Sequence, residues 1–277
     1  MLASLIIVFR EIIEAGLVIG IVLAATKGVP KRGRWVAYGI AGGVGGAVLV
    51  AIFAAEIAGW FEGSGQELFN AAILVVAVTM LTTHNVWMAS HGRAMAQDMR
   101  DIGAAVSDGR RSLFALSMVV GIAVLREGAE IVLFLYGIAA TGGTSSAGML
   151  TGGVLGVAVG AVISALMYGG LLSIPTRHLF AATTGLITLL AAGMAAQAVA
   201  FLQQGGYAEA LATPVWNSAW LLADDSLVGR MLHALIGYTD SPTGLQLVAY
   251  LATIVTIIAL MRLIQVRAEM KRQPATS

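Results

Sequence analysis

Arg10-Glu11-Ile12-Ile13-Glu14 and Arg126-Glu127-Gly128-Ala129-Glu130 repeat one charge pattern at two places in the chain. In Arg-Glu-x-x-Glu the carboxylates stand at i and i+3 of a helix, about 5–6 Å apart at Cβ on one face. The arginine and the second glutamate stand at i and i+4, a spacing that lets them pair. One guanidinium against two carboxylates leaves each cluster at −1 and the two together at −2. A metal cation or protons would complete such a site. Ligation by carboxylates alone favours hard cations: magnesium, calcium, manganese or iron, with Fe3+ the hardest. Cu+ would want sulfur, and the 12 methionines are scattered as core filler rather than gathered as ligands.

The elements that must position these groups are membrane helices. The clusters sit inside LASLIIVFREIIEAGLVIGIVLAAT and SLFALSMVVGIAVLREGAEIVLFLYG, each long enough to cross a bilayer. A charge at the centre of such a helix costs roughly 2.5–3.5 kcal/mol to insert, so all of these must be paired and turned inward. Composition agrees: the chain is 58% hydrophobic and 11% charged, where a soluble domain carries about 25% charged residues. Its 34 glycines suit close helix packing in lipid. Zero cysteines exclude disulfides, thiolate metal sites, iron–sulfur ligation and a cysteine nucleophile. The net charge of +1 says nothing about partners, and nothing points to nucleic acid. The start does not read as a cleavable signal peptide, since it lacks a basic flank and a charge cluster interrupts its apolar run.

An all-α polytopic fold follows, with seven transmembrane helices expected at about 2–26, 35–57, 68–88, 112–137, 148–173, 179–202 and 245–261. Thirteen positive residues then fall on one side: Lys27, Lys31, Arg32, Arg34, Arg93, Arg100, Arg110, Arg111, Arg177, Arg262, Arg267, Lys271 and Arg272. That side is cytoplasmic by the positive-inside rule. The opposite connectors carry Glu56, Glu62, Glu67, Glu209, Asp224, Asp225 and Asp240 with Arg230 alone. The N-terminus is therefore expected outside and the C-terminus inside. The single permease-like domain, 1–277, also repeats itself. Arg10 matches Arg126, Ala41–Gly46 matches Thr151–Gly156, and Leu68-Phe69 matches Leu179-Phe180. Repeat one covers about 1–91 and repeat two about 112–203, followed by an outer loop, 204–243, and the last helix. Three spans per copy give opposite orientations, an inverted repeat of the kind transporters use, with the substrate site near the midplane. Small-residue stripes (Gly39/Gly43, Gly42/Gly46, and Gly148 through Gly160 in steps of four) let backbones approach closely.

Depth is consistent with one joint site. At ~1.5 Å per residue, Glu14 lies about 18 Å and Glu127 about 15 Å from the same outer surface. The competing reading of the clusters is a pair of structural ion-pair knots. It leaves the excess carboxylates unexplained.

The paired motifs, in the first and fourth of seven spans, resemble the signature of the high-affinity, oxidase-dependent iron permease family, which has bacterial and yeast-type ferroxidase-coupled members. Trp216-Asn217-Ser218-Ala219-Trp220-Leu221-Leu222-Ala223-Asp224-Asp225-Ser226, continuing through Gly229, Leu232-His233 and Gly237-Tyr238, is similar to that family's outer loop. The resemblance covers nearly the whole chain. The first cluster departs in reading Ile-Ile where the family often has glycine, with spacing intact. The resemblance implies iron, as Fe3+ produced by oxidation of Fe2+, moving inward across a bacterial inner membrane. It implies Glu11, Glu14, Glu127 and Glu130 as iron ligands, with Arg10 and Arg126 as supporting ion pairs. It implies no permanently bound cofactor, and an extracytoplasmic iron oxidase or iron-binding protein as partner. Alternatives are transport of another hard or divalent cation, or a membrane iron sensor or scaffold that transports nothing.

Two further features read without the family. The stripe Leu227/Val228, Met231/Leu232, Leu235/Ile236 predicts a short interfacial helix, capped by Asp224 or Asp225 and ended by Gly237. Asp224 and Asp225 are also candidates for attracting iron at the mouth, against helix capping plus solvation. His84 and His91 stand at i and i+7 near the cytoplasmic end of span three. They read as interfacial histidines in preference to ligands on an exit path. Histidine placement argues against haem, and the absence of H-E-x-x-H, P-loop and Rossmann patterns argues against an enzyme.

Overall fold

The computed structural model describes residues 1–59, 66–140, 145–170 and 176–270. Glu62, Lys271 and Arg272 of the charge asymmetry lie outside these residues, and the side chains of His91 and His178 outside the described ones. Eight helices make up the described chain: α1 Leu2–Ala25, α2 Arg32–Gly59, α3 Gln66–Ser107, α4 Leu113–Ala140, α5 Ser146–Tyr168, α6 Thr176–Gln204, α7 Leu227–Ile236 and α8 Gly244–Met270. Helices α2, α3, α5, α6 and α8 are long and apolar enough to cross a membrane. Helices α1 and α4, of 24 and 28 residues, match them in length and carry the two charge clusters. Val44, Val48 and Phe53 of α2, Val154 and Val162 of α5, and Leu251 and Val255 of α8 point outward. An apolar exterior over closed backbone hydrogen bonding is what lipid requires.

Two element boundaries differ from the sequence expectation. Helix α3 runs to Ser107, 42 residues in all, so Arg93 and Arg100 stand on helix rather than on a connector. At ~1.5 Å per residue it is about 63 Å long, more than the full bilayer thickness. Its far end is held by Ser107 Oγ donating to the Ala25 carbonyl oxygen at 3.0 Å. Polar residues past 88 end the apolar run without ending the helix. Likewise α8 continues past 261, carrying Arg262 and Arg267 on helix.

Packing is organised in pairs. Helix α1 lies along α5, α2 along α4, and α3 along α6. The first two pairs meet through glycine. A Cβ on Gly43 would stand 2.7 Å from the Gly121 carbonyl oxygen and 2.7 Å from Val124 Cβ. A Cβ on Gly156 would stand 2.8 Å from the Leu5 carbonyl oxygen and 2.9 Å from Val8 Cβ. Matching Arg10 to Arg126 makes Leu5 equivalent to Gly121 and Val8 to Val124, so the two interfaces repeat each other residue for residue. They also correct the glycine register. Gly156 is the equivalent of Gly43, not of Gly46, because the face that touches the partner helix defines equivalence and the local Gly-Gly string does not.

This geometry sets a prediction. Gly43→Ala lowers thermal stability in detergent by about 1–3 kcal/mol, as overpacking does. Gly42→Ala, which meets nothing within 4 Å, does not. Equal melting temperatures for the two variants would refute the interface.

Buried apolar side chains gather in two groups. One combines Ala3 and Ile7 of α1 with Leu74 and Leu81 of α3, Phe134 and Ile138 of α4, Met194 of α6 and Ile257 of α8. The other combines Val22, Val36, Val106, Leu116 and Val120. The first holds the start of α1 and the end of α4, the second the end of α1 and the start of α4. Both charge clusters fall between them.

Candidate metal centre

Helices α1 and α4 touch, and α3 packs against both. Position within each helix then fixes which side chains meet. On α1, Arg10, Glu11 and Glu14 are all buried, and on α4 Glu127 is buried. The i, i+4 pairing expected from spacing is present in both clusters: Arg10 Nε lies 2.9 Å from Glu14 Oε1, and Arg126 Nε lies 3.2 Å from Glu130 Oε1. The first glutamate of each motif stands farther from its arginine, at 3.6 Å for Glu11 and 3.7 Å for Glu127. Each arginine thus lies nearest the second glutamate of its motif while still within ion-pair distance of the first, and a third group joins them.

That third group contains a residue placed elsewhere by sequence reasoning. His84 of α3 is buried, not interfacial. Its Nδ1 contacts Glu130 Oε2. Its Nε2 lies 3.4 Å from Glu14 Oε2. Glu11, His84, Glu127 and Glu130 each offer one ligand atom, and these atoms all lie within 4.8 Å of one another. Glu14 is outside that group of four, paired with Arg10 and 3.4 Å from His84 Nε2. The signal that could have found His84 was its adjacency to Asn85, two polar residues inside an apolar run, both of which are buried.

The two clusters differ in exposure. The Arg10 side chain is 2% exposed and that of Arg126 33%. The Arg126 guanidinium carbon sits 4.4 Å from the centroid of the Trp87 ring, three residues after His84 on the same helix. A guanidinium over an indole face is held by cation–π attraction. Helix α3 therefore touches both arms of the α4 motif, His84 on Glu130 and Trp87 on Arg126.

Both oxygens of Glu11 and of Glu14, and one each of Glu127 and Glu130, are buried and accept no hydrogen bond among the described residues, and the two arginines are the guanidiniums that balance four carboxylates. Buried polar atoms are ordinarily paired, and an unpaired buried charge is expensive. A carboxylate left in this condition beside Glu127, Glu130 and an imidazole is suited to a cation.

The outer loop has a different character. Ser226, not Asp224 or Asp225, caps α7, its Oγ accepting from Gly229 N–H at 2.9 Å. Gly237 ends α7 at φ +70 as expected, a left-handed conformation open to glycine. Asp224 accepts from Asp240 N–H at 2.9 Å and from Thr239 Oγ1 at 2.9 Å, while Asp224 N–H donates to Asp240 Oδ2 at 3.1 Å. Tyr238 Oη donates to the Leu222 carbonyl oxygen at 2.7 Å, and His233 Nδ1 contacts the Tyr238 carbonyl oxygen at 2.7 Å. Asp224, Ser226, Gly229, His233, Gly237 and Tyr238 therefore fold the loop. Asp225 alone of the two aspartates is exposed.

Residues 1–272 match the Iron permease FTR1 family. The chain belongs to that family. It is accordingly an integral membrane transporter, not an enzyme, of the bacterial plasma membrane. Among curated relatives it is 30% identical over 264 residues to Ferrous iron permease EfeU of Yersinia pestis, covering 94% of this chain and 93% of the relative. It is 31% identical over 258 residues to the protein of that name from Yersinia pseudotuberculosis, covering 92% and 90%. With the Escherichia coli O157:H7 protein of that name it shares 30% identity over 247 residues, covering 88% of each. No solved structure matches the chain.

Proposed function

We propose that this permease moves iron inward through the paired Arg-Glu-x-x-Glu site between α1 and α4. The observation that carries the reading is the convergence of Glu11, Glu127 and Glu130 with His84 into one buried group whose carboxylate oxygens are not all hydrogen-bonded. Seven helices, α1 to α6 and α8, span the bilayer in this reading, as two inverted copies of three plus a last helix. The repeated Gly43 and Gly156 interfaces support the two copies. The positive residues put the N-terminus outside and the C-terminus in the cytoplasm. The apolar groups on either side of the charges would separate the site from both surfaces at once, as alternating access needs. Inward movement is favoured by the membrane potential, worth about 7 kcal/mol for three charges across 100 mV.

The family resemblance favours Fe3+, produced from Fe2+ by an extracytoplasmic oxidase that hands it to the outer loop, with the exposed Asp225 helping to gather cations. A second reading, passage of Fe2+, is favoured by the imidazole nitrogen and by a site charge of −2, which a divalent ion balances. The relatives are named ferrous iron permeases. Radio-iron uptake into proteoliposomes tests both, with external iron held either ferrous by ascorbate or ferric by citrate. Saturable uptake in one arm identifies the crossing species. Iron that binds but never enters the lumen would make the chain a sensor or scaffold. Asp225→Asn should slow uptake only at low external iron, and unchanged uptake there would remove that residue from capture.

A further inference from the structure

We infer that His84 is the selectivity ligand of this site, the group that makes it prefer iron over magnesium, calcium and manganese. The inference rests on the proposed transport site and concerns its substrate class. Carboxylates alone do not distinguish these ions well, because oxygen ligands suit magnesium, calcium and manganese as readily as iron. Imidazole suits zinc, copper, iron and nickel. One nitrogen among oxygens therefore tilts a site toward the later transition metals. His84 is the nitrogen donor within the group of four, and the other three members are glutamates. It enters from α3, outside both repeated motifs, so selectivity and charge are supplied by different helices.

The surroundings are arranged for this role. Both ring nitrogens are buried and point at carboxylates, Nδ1 at Glu130 and Nε2 at Glu14. Ligating histidines use one nitrogen for the metal and direct the other at a carboxylate, which fixes ring orientation and raises basicity. Glu14, outside the group of four and tied to Arg10, is placed to be that orienting carboxylate. Nδ1, on the side of Glu130, is then the ligand atom.

The test compares cation competition in proteoliposomes for wild type, His84→Gln and Glu127→Gln. Gln keeps an N–H donor for one carboxylate and offers no lone-pair nitrogen. The expected result is that His84→Gln still carries iron, with affinity down about 10-fold or more, and that excess Mn2+ or Ca2+ now suppresses its uptake far more than that of wild type. An unchanged competition profile in His84→Gln, with Glu127→Gln inactive, overturns this inference and leaves the transport site standing. Active Glu127→Gln overturns the transport site itself. Should His84→Gln fail to reach the membrane, pulsed EPR of wild-type protein loaded with Mn2+ decides. Nitrogen modulation from a bound imidazole, lost in Glu127→Gln, supports the assignment. Its absence in wild type, or its persistence in Glu127→Gln, overturns it.

Discussion

Glu11→Gln and Glu127→Gln each abolish iron uptake while the protein still accumulates in the membrane. Glutamine keeps the size and one oxygen donor but removes the charge that a hard, highly charged cation requires. Each arginine lies closer to the second glutamate of its motif, at 2.9 and 3.2 Å, than to these two, at 3.6 and 3.7 Å, so their substitution leaves each guanidinium its nearer partner. It also removes a buried charge, which relieves up to about 2.5–3.5 kcal/mol of insertion cost. Abundance therefore stays level or rises as transport vanishes. Glu14→Gln should be milder in transport and worse in stability, because Glu14 lies outside the group of four and is the close partner of Arg10. Uptake assays beside quantitative membrane blots check all three. If the motifs were only a structural lock, uptake and abundance would fall in parallel for every glutamate.

Arg10→Met destabilises the protein more than Arg126→Met does. Sequence symmetry predicts equal behaviour for the two arginines, but their surroundings differ. Arg10 is 2% exposed against buried Glu11 and Glu14. Breaking a buried pair by removing one partner costs about 3–5 kcal/mol, because the other charge stays behind uncompensated. That corresponds to a melting temperature about 10 °C lower for a chain of this size. Arg126 is one-third exposed and half supported by Trp87. The carboxylates it leaves, Glu127 and Glu130, are 4% and 12% exposed, but Glu130 keeps its contact with His84, so removing Arg126 costs less than removing Arg10. Thermal unfolding in detergent, read as the monodisperse fraction remaining after heating, separates the two. Equal losses would mean that the difference in burial has no energetic consequence.

The sequence by itself determined the parts whose physics is local. An Arg-Glu-x-x-Glu spacing on a helix puts its charges on one face wherever the helix lies, and the Arg10–Glu14 and Arg126–Glu130 pairs follow from it. The cost of charge in lipid turns that face inward, so the meeting of the two clusters was legible as well. The apolar stripe from Leu227 to Ile236 and the glycine after it were enough to set α7. Tertiary structure decided what depends on how helices are rotated against each other. Helix α3 continues past its apolar run to Ser107, and His84, read from sequence as interfacial, is buried against both clusters. The rotation of α3 about its own axis, set by packing on α1, α4 and α6, then turns His84 and Trp87 to the α4 motif. The same contacts bring His84 into a group of four with Glu11, Glu127 and Glu130. They also bury Arg10 while leaving Arg126 partly in contact with the surface. Polarity within α3 does not encode that rotation, because His84 and Asn85 are buried while the adjacent Thr83 is exposed.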